Sequence, residues 1–252
     1  MSQGNTFIMF GLKFHSFNQR EVLSKIEDYI KNTKKPRVIF TPTAELIVHA
    51  SKDKRLKEIY NSSDVLTIDS FVVYYFAKLL KKSVPEPVNA ARLMLNFLPI
   101  ANRKGYKIYL LGAKEEVLRK VIENLKKQYP GINIVGWHNG YFDFDNDYEV
   151  VNDIIEKKPD ILFVAMSSPL KEKFISKNLN KMNVPVSIGV GGTFDIIAGK
   201  CKLAPIWVSR MGLEWFYRFI QEPRRLWKRY LITNIEFLLL FLKEFTKAKG
   251  GV

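Results

Sequence analysis

The stretch PVSIGVGGTFDIIAGK, residues 185–200, predicts a buried strand that turns at glycines into the start of a helix. Residues 185–190 form the apolar run of the strand, and Gly191 and Gly192 allow the backbone to approach a ligand closely. Asp195 follows near the expected helix N-terminus, where backbone N–H groups favour an anion. A strand–turn–helix unit of this kind is the building block of an α/β fold.

The same alternation extends upstream of this unit. Apolar strand patterns alternate with amphipathic helix patterns from about residue 37 to residue 200. We therefore predict a Rossmann-like α/β fold, with a mainly parallel sheet and helices on both faces. The predicted strands are 6–10, 37–40, 65–68, 107–111, 132–137, 161–165 and 185–190.

From Ala204 onward the strand signals stop. The tail holds three of the four tryptophans and many arginines, and it predicts two or three basic amphipathic helices broken at Pro223. We therefore expect an α/β domain over residues 1–203 and a basic helical C-terminal appendage over residues 204–252.

The composition limits the function classes. The 252 residues carry a formal net charge of +15, which favours anionic partners such as nucleic acid, anionic lipid or a phosphorylated substrate. The single cysteine excludes an internal disulfide and a cysteine-based zinc site, as expected in a reducing cytoplasm. No run reaches the roughly 18 apolar residues of a membrane-spanning helix, and the N-terminus lacks a signal-peptide pattern.

The candidate site follows from topology, because ligands of parallel α/β folds bind at the carboxyl ends of strands. A carboxylate that ends the apolar strand of LTID suits catalysis, although capping the next helix is an equal alternative. The polar or glycine positions that follow predicted strands are Thr41, Thr43, Asp69, Ser70, Gly112, Ser167, Ser168, Gly191, Gly192, Thr193 and Asp195.

Other motifs are weak. The chain has neither the GxGxxG fingerprint nor a P-loop. The acidic string 143–147 could hold a metal, but capping and solvation in a turn-rich stretch explain it more simply, and we expect neither metal nor cofactor.

The tail arginines leave several interpretations open. Arg218, Arg225 and Arg229 lie seven and four residues apart, so they share a face only if a helix continues through Pro223. Interleaved aromatic and basic residues suit an in-plane membrane helix, and equally a helix packed on the domain with a solvated basic face. Nucleic-acid binding ranks behind both, because no DNA- or RNA-binding motif is present.

Seven sequence blocks carry a more specific signal, in a fixed order over nearly the whole chain. They are TPTAELIVHASKD (41–53), the strand-end Asp69, KIYLLGA (107–113), INIVGWHNGYF (132–142), the segment 161–175, GVGGTFDIIAGKCKLAP (189–205) and LEWFYRFIQEPRRLWKRYL (213–231). Together they resemble the WecG/TagA/CpsF family of glycosyltransferases. The resemblance implies an inverting enzyme, peripheral on the cytoplasmic face of the cell membrane. It would move an N-acetylmannosamine-type sugar from a UDP donor to polyprenyl-diphosphate-linked N-acetylglucosamine in cell-surface polysaccharide biosynthesis, such as that of wall teichoic acid.

The resemblance also implies residue roles. Asp69 would be the general base, and the lipid diphosphate would bind Arg218, Arg225 and one of Lys228 or Arg229. Independently of the resemblance, the strand-end topology predicts that the donor binds Thr41, Thr43, Gly112, Gly191, Gly192, Thr193 and Asp195, and Lys171 is a further candidate because a lysine can pair with a phosphate. The tail would dock on an anionic membrane surface. No metal and no nucleic acid are expected, and a homo-oligomer would be one way to cover an apolar tail face.

Several positions depart from the pattern of the family. Thr43 replaces an asparagine, Ser70 replaces a glycine, and Lys171 replaces a glutamine. The stretch between Pro87 and Arg92 lacks the usual arginine and acidic residue. These departures favour, as the alternative to the family reaction, an altered donor specificity or a non-catalytic protein that binds a lipid-linked sugar or a partner.

Overall fold

The structure, a computed structural model, describes residues 6–32 and 34–250, with side chains up to residue 247. The strands are β1 (Thr6–Met9), β2 (Leu12–His15), β3 (Arg37–Phe40), β4 (Val65–Leu66), β5 (Lys107–Gly112), β6 (Asn133–His138), β7 (Ile161–Ala165) and β8 (Val186–Gly189). The helices are α1 (Gln19–Asn32), α2 (Ala44–Lys52), α3 (Lys54–Asn61), α4 (Phe71–Leu79), α5 (Ala90–Lys104), α6 (Glu115–Gln128), α7 (Tyr148–Lys157), α8 (Leu170–Met182), α9 (Thr193–Ile197), α10 (Ile206–Arg210), α11 (Glu214–Gln221) and α12 (Pro223–Gly250).

The described chain forms two units by the density of its internal contacts. The first unit contains residues 6–19, 41–89 and 202–250, and the second contains residues 20–40 and 90–201. Each unit therefore combines segments that are far apart in the sequence.

The second unit is built on a parallel sheet. Its strands lie in the order β3-β8-β7-β5-β6, and neighbouring strands run parallel. Strand β7 reads ILFVA and is buried throughout, as expected for a parallel strand covered on both faces. Helix α8 packs on β3 and β8, α7 packs on β6, and α5 and α6 pack on α9. The predicted α/β fold with a mainly parallel sheet is confirmed.

Helix α6 shows how the sequence specifies the flanking layer. Its buried residues are Val117, Leu118, Val121, Ile122 and Leu125, which recur at the spacing of one helical face. Two glutamates in its first turn and two lysines in its last turn stabilise the helix, because the helix dipole favours negative charge at the N-terminus and positive charge at the C-terminus.

The register brings the carboxyl ends of the central strands together. Gly112 at the end of β5 lies beside Ala165 of β7, and Val164 lies beside Gly189 of β8. The loops that follow these strands therefore leave the sheet at one edge, where ligand sites of parallel sheets form.

The first unit combines the N-terminal hairpin, helices α2 to α4 and the tail. Helix α12 packs along α2. Its Phe237 and Phe241 contact the ring of Phe76 in α4, with centroids 5.5 and 4.3 Å apart. Phe237 also contacts Phe10 of the hairpin, so one aromatic cluster holds the tail to this unit.

Apart from one-residue shifts at the ends of β5, β6 and β8, local predictions differ from the structure at three places. Phe10 and Gly11 both have positive φ and form the two-residue turn of a hairpin, so the first strand ends at Met9 and β2 follows. Strand β4 spans two residues of the predicted 65–68. Helix α3 is not predicted; it is a short helix that begins where the Asp53 side chain accepts the Leu56 N–H, directly after α2.

The tail consists of α10, α11 and α12. Helix α11 ends at Gln221 and α12 begins at Pro223, so the predicted break is confirmed. Among the helices described, none combines the length and the apolar character needed to cross a membrane. The assignment of residues 204–252 to a separate appendage stays a prediction.

Candidate functional site

Asp69 lies in the first unit with its carboxylate held at both oxygens. The Thr41 hydroxyl donates to Oδ1 at 3.3 Å, and the Asn89 amide donates to Oδ2 at 3.2 Å. Asp69 is 7 % exposed. Ser70, rather than Asp69, is the N-cap residue of α4. A buried carboxylate oriented by two donors at the end of a strand suits proton abstraction.

Glu222 organises two of the predicted arginines across the helix break. Its Oε2 contacts Arg218 Nη2 at 2.9 Å and also binds Arg225 Nη2. Burial would raise the pKa of Glu222, but the hydrogen bond from Arg225 and the charges of both arginines outweigh it and lower that pKa below its usual value. Arg218 and Arg225 therefore converge on one anionic group although the helix does not continue through Pro223.

The other two basic residues of the predicted set have different partners. Arg229 lies 3.4 Å from Glu45 of α2, measured from Nε to Oε1, and stacks over the Tyr230 ring. Burial raises the pKa of the Tyr230 hydroxyl against the opposing charge of Arg229. Lys228 lies over the Trp227 ring, 5.3 Å from its centroid.

The second unit contains a cavity at the carboxyl ends of its strands. Its volume is about 510 Å³. Its walls are Ala113 after β5, residues 140–144 after β6, Ala165, Met166 and Ser167 at the end of β7, and Leu170 of α8. Aromatic rings together with a carboxylate and a hydroxyl are a common lining for a site that binds a base and a sugar.

Backbone hydrogen bonds join the loops around this cavity. The Ala113 N–H donates to the Ala165 carbonyl, and the Gly140 N–H donates to the Ala113 carbonyl, both at 2.9 Å. Gly112 has φ of +124°, and a Cβ there would lie 2.5 Å from the Ala165 carbonyl oxygen. Only glycine fits at this approach, so Gly112 shapes the cavity through its backbone.

Lys171 is buried in an ion pair with its neighbour. Its ammonium donates to Glu172 Oε1 at 2.6 Å, and the two residues are 6 % and 1 % exposed. A Cβ at Gly189 would lie 3.2 Å from Lys171 Cε, so the glycine at the end of β8 leaves room for the lysine stem. Lys171 thus occupies the carboxyl end of β8.

The glycine turn after β8 is partly used by the fold itself. The Thr193 N–H and hydroxyl both donate to the Val190 carbonyl, at 3.1 and 2.6 Å. Gly191 has φ of +50° and open space around its Cβ position, and Gly192 is the N-cap residue of α9. Gly191 therefore leaves room for a ligand, whereas both donors of Thr193 are occupied.

The acidic string makes internal contacts. Asp147 is buried and accepts hydrogen bonds from Lys177 at 3.0 Å and Asn178 at 2.7 Å. The Asp145 N–H donates to the Asp143 carboxylate. Within residues 6–32 and 34–250, no three His, Cys, Asp or Glu residues are grouped closely enough to hold a metal ion.

Comparison with known proteins adds the decisive observation. The model of the Glycosyl transferase WecG/TagA/CpsF family matches residues 7–251. The chain belongs to this family. The interpretation of the protein as a glycosyltransferase is therefore confirmed.

Three relatives of this WecG/TagA/CpsF protein share the name N-acetylglucosaminyldiphosphoundecaprenol N-acetyl-beta-D-mannosaminyltransferase. The relative from Bacillus subtilis is 33 % identical over 90 % of this chain and 87 % of its own length. That from Bacillus spizizenii is 32 % identical over 83 % and 80 %. That from Staphylococcus aureus is 29 % identical over 96 % and 92 %.

The structure groups the predicted site residues of this WecG/TagA/CpsF member in part. It brings Thr41 to Asp69, and Arg218 to Arg225. Thr43 serves as the N-cap of α2, because its hydroxyl accepts the Leu46 N–H at 3.4 Å. The roles of these residues, and of Gly112, Lys171, Gly191, Gly192, Thr193, Asp195, Lys228 and Arg229, stay predictions.

Sequence reasoning missed several residues of this family member. Asn89, Glu214 and Glu222 are polar residues without a recognisable spacing, and their contacts depend on the folded chain. The cavity loop 140–144 had a usable signal, because Asn139-Gly140 marks a turn that is followed directly by aromatic residues.

Proposed function

We propose that this protein transfers N-acetylmannosamine from a UDP donor to N-acetylglucosamine on a polyprenyl diphosphate, with inversion at the anomeric carbon, in the synthesis of a surface polymer such as wall teichoic acid. The names of the relatives support the two sugars and the lipid acceptor. The observation that carries the proposal is the strand-end carboxylate of Asp69, oriented by Thr41 and Asn89.

The chemistry assigns one proton transfer to Asp69. The acceptor hydroxyl oxygen attacks the anomeric carbon of the donor sugar, and the hydroxyl proton passes to the Asp69 carboxylate. The bond between the anomeric carbon and the diphosphate oxygen breaks, and UDP leaves with the electron pair. A positioned base of this kind accelerates such a step by roughly 10²- to 10⁴-fold.

We assign the nucleotide part of the donor to the cavity of the second unit. The rings of Phe142 and Phe144 supply apolar area for a base, while Asp143 and Ser167 can hydrogen-bond to sugar hydroxyls. Gly112 lets β5 approach the backbone of Ala165 closely at this edge of the sheet, and Gly191 has open space around its Cβ position for a ligand.

The direct test uses the purified full chain with a polyprenyl-diphosphate-linked N-acetylglucosamine and a panel of UDP-sugars. We expect a disaccharide lipid with UDP-N-acetylmannosamine, and slower or no product with UDP-N-acetylglucosamine and the uronic acid form. Product formed only with another UDP-sugar would change the donor sugar that we assign. Tight acceptor binding without turnover of any donor would contradict the proposal and favour a non-catalytic role.

Arg218 and Arg225 are expected to bind the acceptor diphosphate. Either alanine substitution should raise the KM for the lipid acceptor about tenfold, with the KM for the UDP-sugar unchanged, because a charge-assisted pair is lost. Lysine at either position should restore only part of the acceptor affinity, since a lysine cannot form the bidentate hydrogen bonds of an arginine. Arg224→Ala is the matched control, because Arg224 is an exposed neighbour on α12. If Arg224→Ala raised the acceptor KM equally, Arg218 and Arg225 would contribute only to the overall positive charge of the tail and would not bind the diphosphate specifically.

We further propose that the tail holds the protein on the inner face of the cell membrane as a peripheral protein. The supporting feature is a set of exposed apolar side chains that lie among basic residues of the tail. It comprises Ile206, Trp207, Met211, Leu213, Trp215, Phe216, Ile220, Trp227, Leu231, Ile232, Ile235, Leu238, Leu239 and Leu242. An exposed apolar surface of this size, next to positive charge, fits an anionic lipid interface.

Vesicle binding tests this assignment. We expect binding to phosphatidylglycerol vesicles that weakens at high salt, and about five- to tenfold weaker binding for Trp207→Ser, because one large apolar group is withdrawn from the interface. Trp207 is 65 % exposed, and Trp137 outside the tail is 46 % exposed, so Trp137→Ser is the control and should bind as the wild type does. Equal loss in both variants, or self-association that removes vesicle binding, would point to a homo-oligomer instead.

A further inference from the structure

One amide nitrogen connects Asp69 with the tail. Asn89 Nδ2 donates to Asp69 Oδ2 and to Glu214 Oε1, each at 3.2 Å. An amide NH2 group carries two hydrogens, so it can serve two carboxylates at once. The reverse orientation would set the amide oxygen against both carboxylates, which fixes the direction of the Asn89 side chain.

The backbone around this contact is well anchored. The Val88 N–H donates to the Ile68 carbonyl at 2.7 Å, which places Asn89 beside Asp69. Asp69 directly precedes Ser70, the N-cap residue of α4, so it lies next to the start of that helix. The donor and the carboxylate that it orients therefore belong to neighbouring, hydrogen-bonded segments.

The tail side of the contact is anchored by the same helix. The Tyr75 hydroxyl of α4 donates to the Arg210 carbonyl, and a Cβ at Gly212 would lie 3.4 Å from Val72. This turn leads directly into α11, whose first residue is Glu214. Glu214 lies in the first turn of α11, where the helix dipole favours a carboxylate.

We propose that Asn89 and Glu214 are positioning residues that couple the seating of α11 to the orientation of Asp69. The proposal rests on the proposed function, because it gives Asp69 the role of base. With Glu214 in place, both hydrogens of the Asn89 amide are used and the amide cannot rotate, so one carboxylate oxygen of Asp69 is held. When α11 moves away, Asn89 loses that constraint, and Asp69 is left less well oriented for the acceptor hydroxyl.

The first experiment measures kcat and both KM values of the full chain. We expect Asn89→Ala and Glu214→Ala each to lower kcat roughly tenfold or more, since each removes a hydrogen bond to a charged group, and to leave the KM for the UDP-sugar unchanged. Glu214→Gln should recover most of the rate, because its amide oxygen can still accept from Asn89. The double alanine variant should be no slower than Asn89→Ala alone, because both changes break one connection.

The second experiment measures the coupling without turnover. We expect backbone amide hydrogen exchange in Glu214–Gln221 to become faster in Asn89→Ala, and to remain at the wild-type rate in Asn96→Ala, an exposed control on α5. If the wild type turns over no donor but this exchange difference is seen, the connection stands and the proposed reaction fails. Multiplicative rate losses in the double variant, failure of Glu214→Gln to recover the rate, or unchanged exchange would each overturn the coupling.

Discussion

Asp69→Asn is expected to lower kcat for sugar transfer about 10²- to 10⁴-fold, the contribution typical of a general base. Asparagine has the same shape as aspartate but cannot take the proton of the acceptor hydroxyl. Its single oxygen can still accept from Thr41 or from Asn89, so the fold should persist with a modest loss of thermal stability. Single-turnover transfer with saturating donor and lipid acceptor measures the chemical step directly.

The control for this substitution is Asp145→Asn. Asp145 is exposed and belongs to the acidic string, so the same chemical change is made away from the proposed base. We expect wild-type kcat and wild-type acceptor KM. A wild-type rate in Asp69→Asn would remove the base from the mechanism, and a large loss in Asp145→Asn would revive the idea that the acidic string takes part.

Elements of the fold can be predicted from the sequence where one pattern, such as an apolar run or an apolar helix face, is clear. The predicted strand 161–165 matches β7 residue for residue, because a continuous apolar run after Asp160 suits a parallel strand. Helix α6 likewise has a clear signal in the sequence, because one apolar face recurs with helical period. The sequence does not predict α3, whose start depends on the Asp53 cap, or the turn at Phe10, where a bulky residue adopts positive φ.

The sequence predicts individual residues of the candidate site but not the contacts between them. Asp69 can be predicted because it directly follows the predicted strand 65–68, and Gly112 because it directly follows the predicted strand 107–111. The contact between Asn89 and Glu214 joins residues 125 positions apart, so no local pattern contains it. The convergence of Arg218 and Arg225 on Glu222 also escapes helical-wheel reasoning, because α11 and α12 are separate helices.

Two departures from the family pattern now have structural explanations. Thr43 caps α2, so the position contributes to helix formation whatever else it binds. Lys171 pairs with Glu172 inside the second unit, which is a sufficient reason for a lysine there without an altered donor. A residue that differs from the family pattern therefore need not change the substrate. Lys171 can be tested directly, because its structural role and a role in donor binding predict different results.

Lys171→Met is expected to lower the free energy of unfolding by about 3–5 kcal/mol, because it leaves the Glu172 carboxylate buried without its adjacent cation. Replacing both members, in Lys171→Met with Glu172→Met, should recover more than half of that loss, since two apolar side chains of similar length carry no charge to desolvate. Urea unfolding of the full chain, followed by tryptophan fluorescence and by circular dichroism, measures both changes.

Lys181→Met on the same helix is the matched control. Its ammonium lies over the Tyr148 ring, 5.6 Å from the centroid, so removal should cost less than about 1 kcal/mol. The double variant also separates structure from donor binding, because it removes the cation while restoring the core. If Lys171 is structural, the double variant binds UDP as tightly as the wild type does. A UDP affinity reduced tenfold in a variant of restored stability would instead place the lysine on the donor diphosphate.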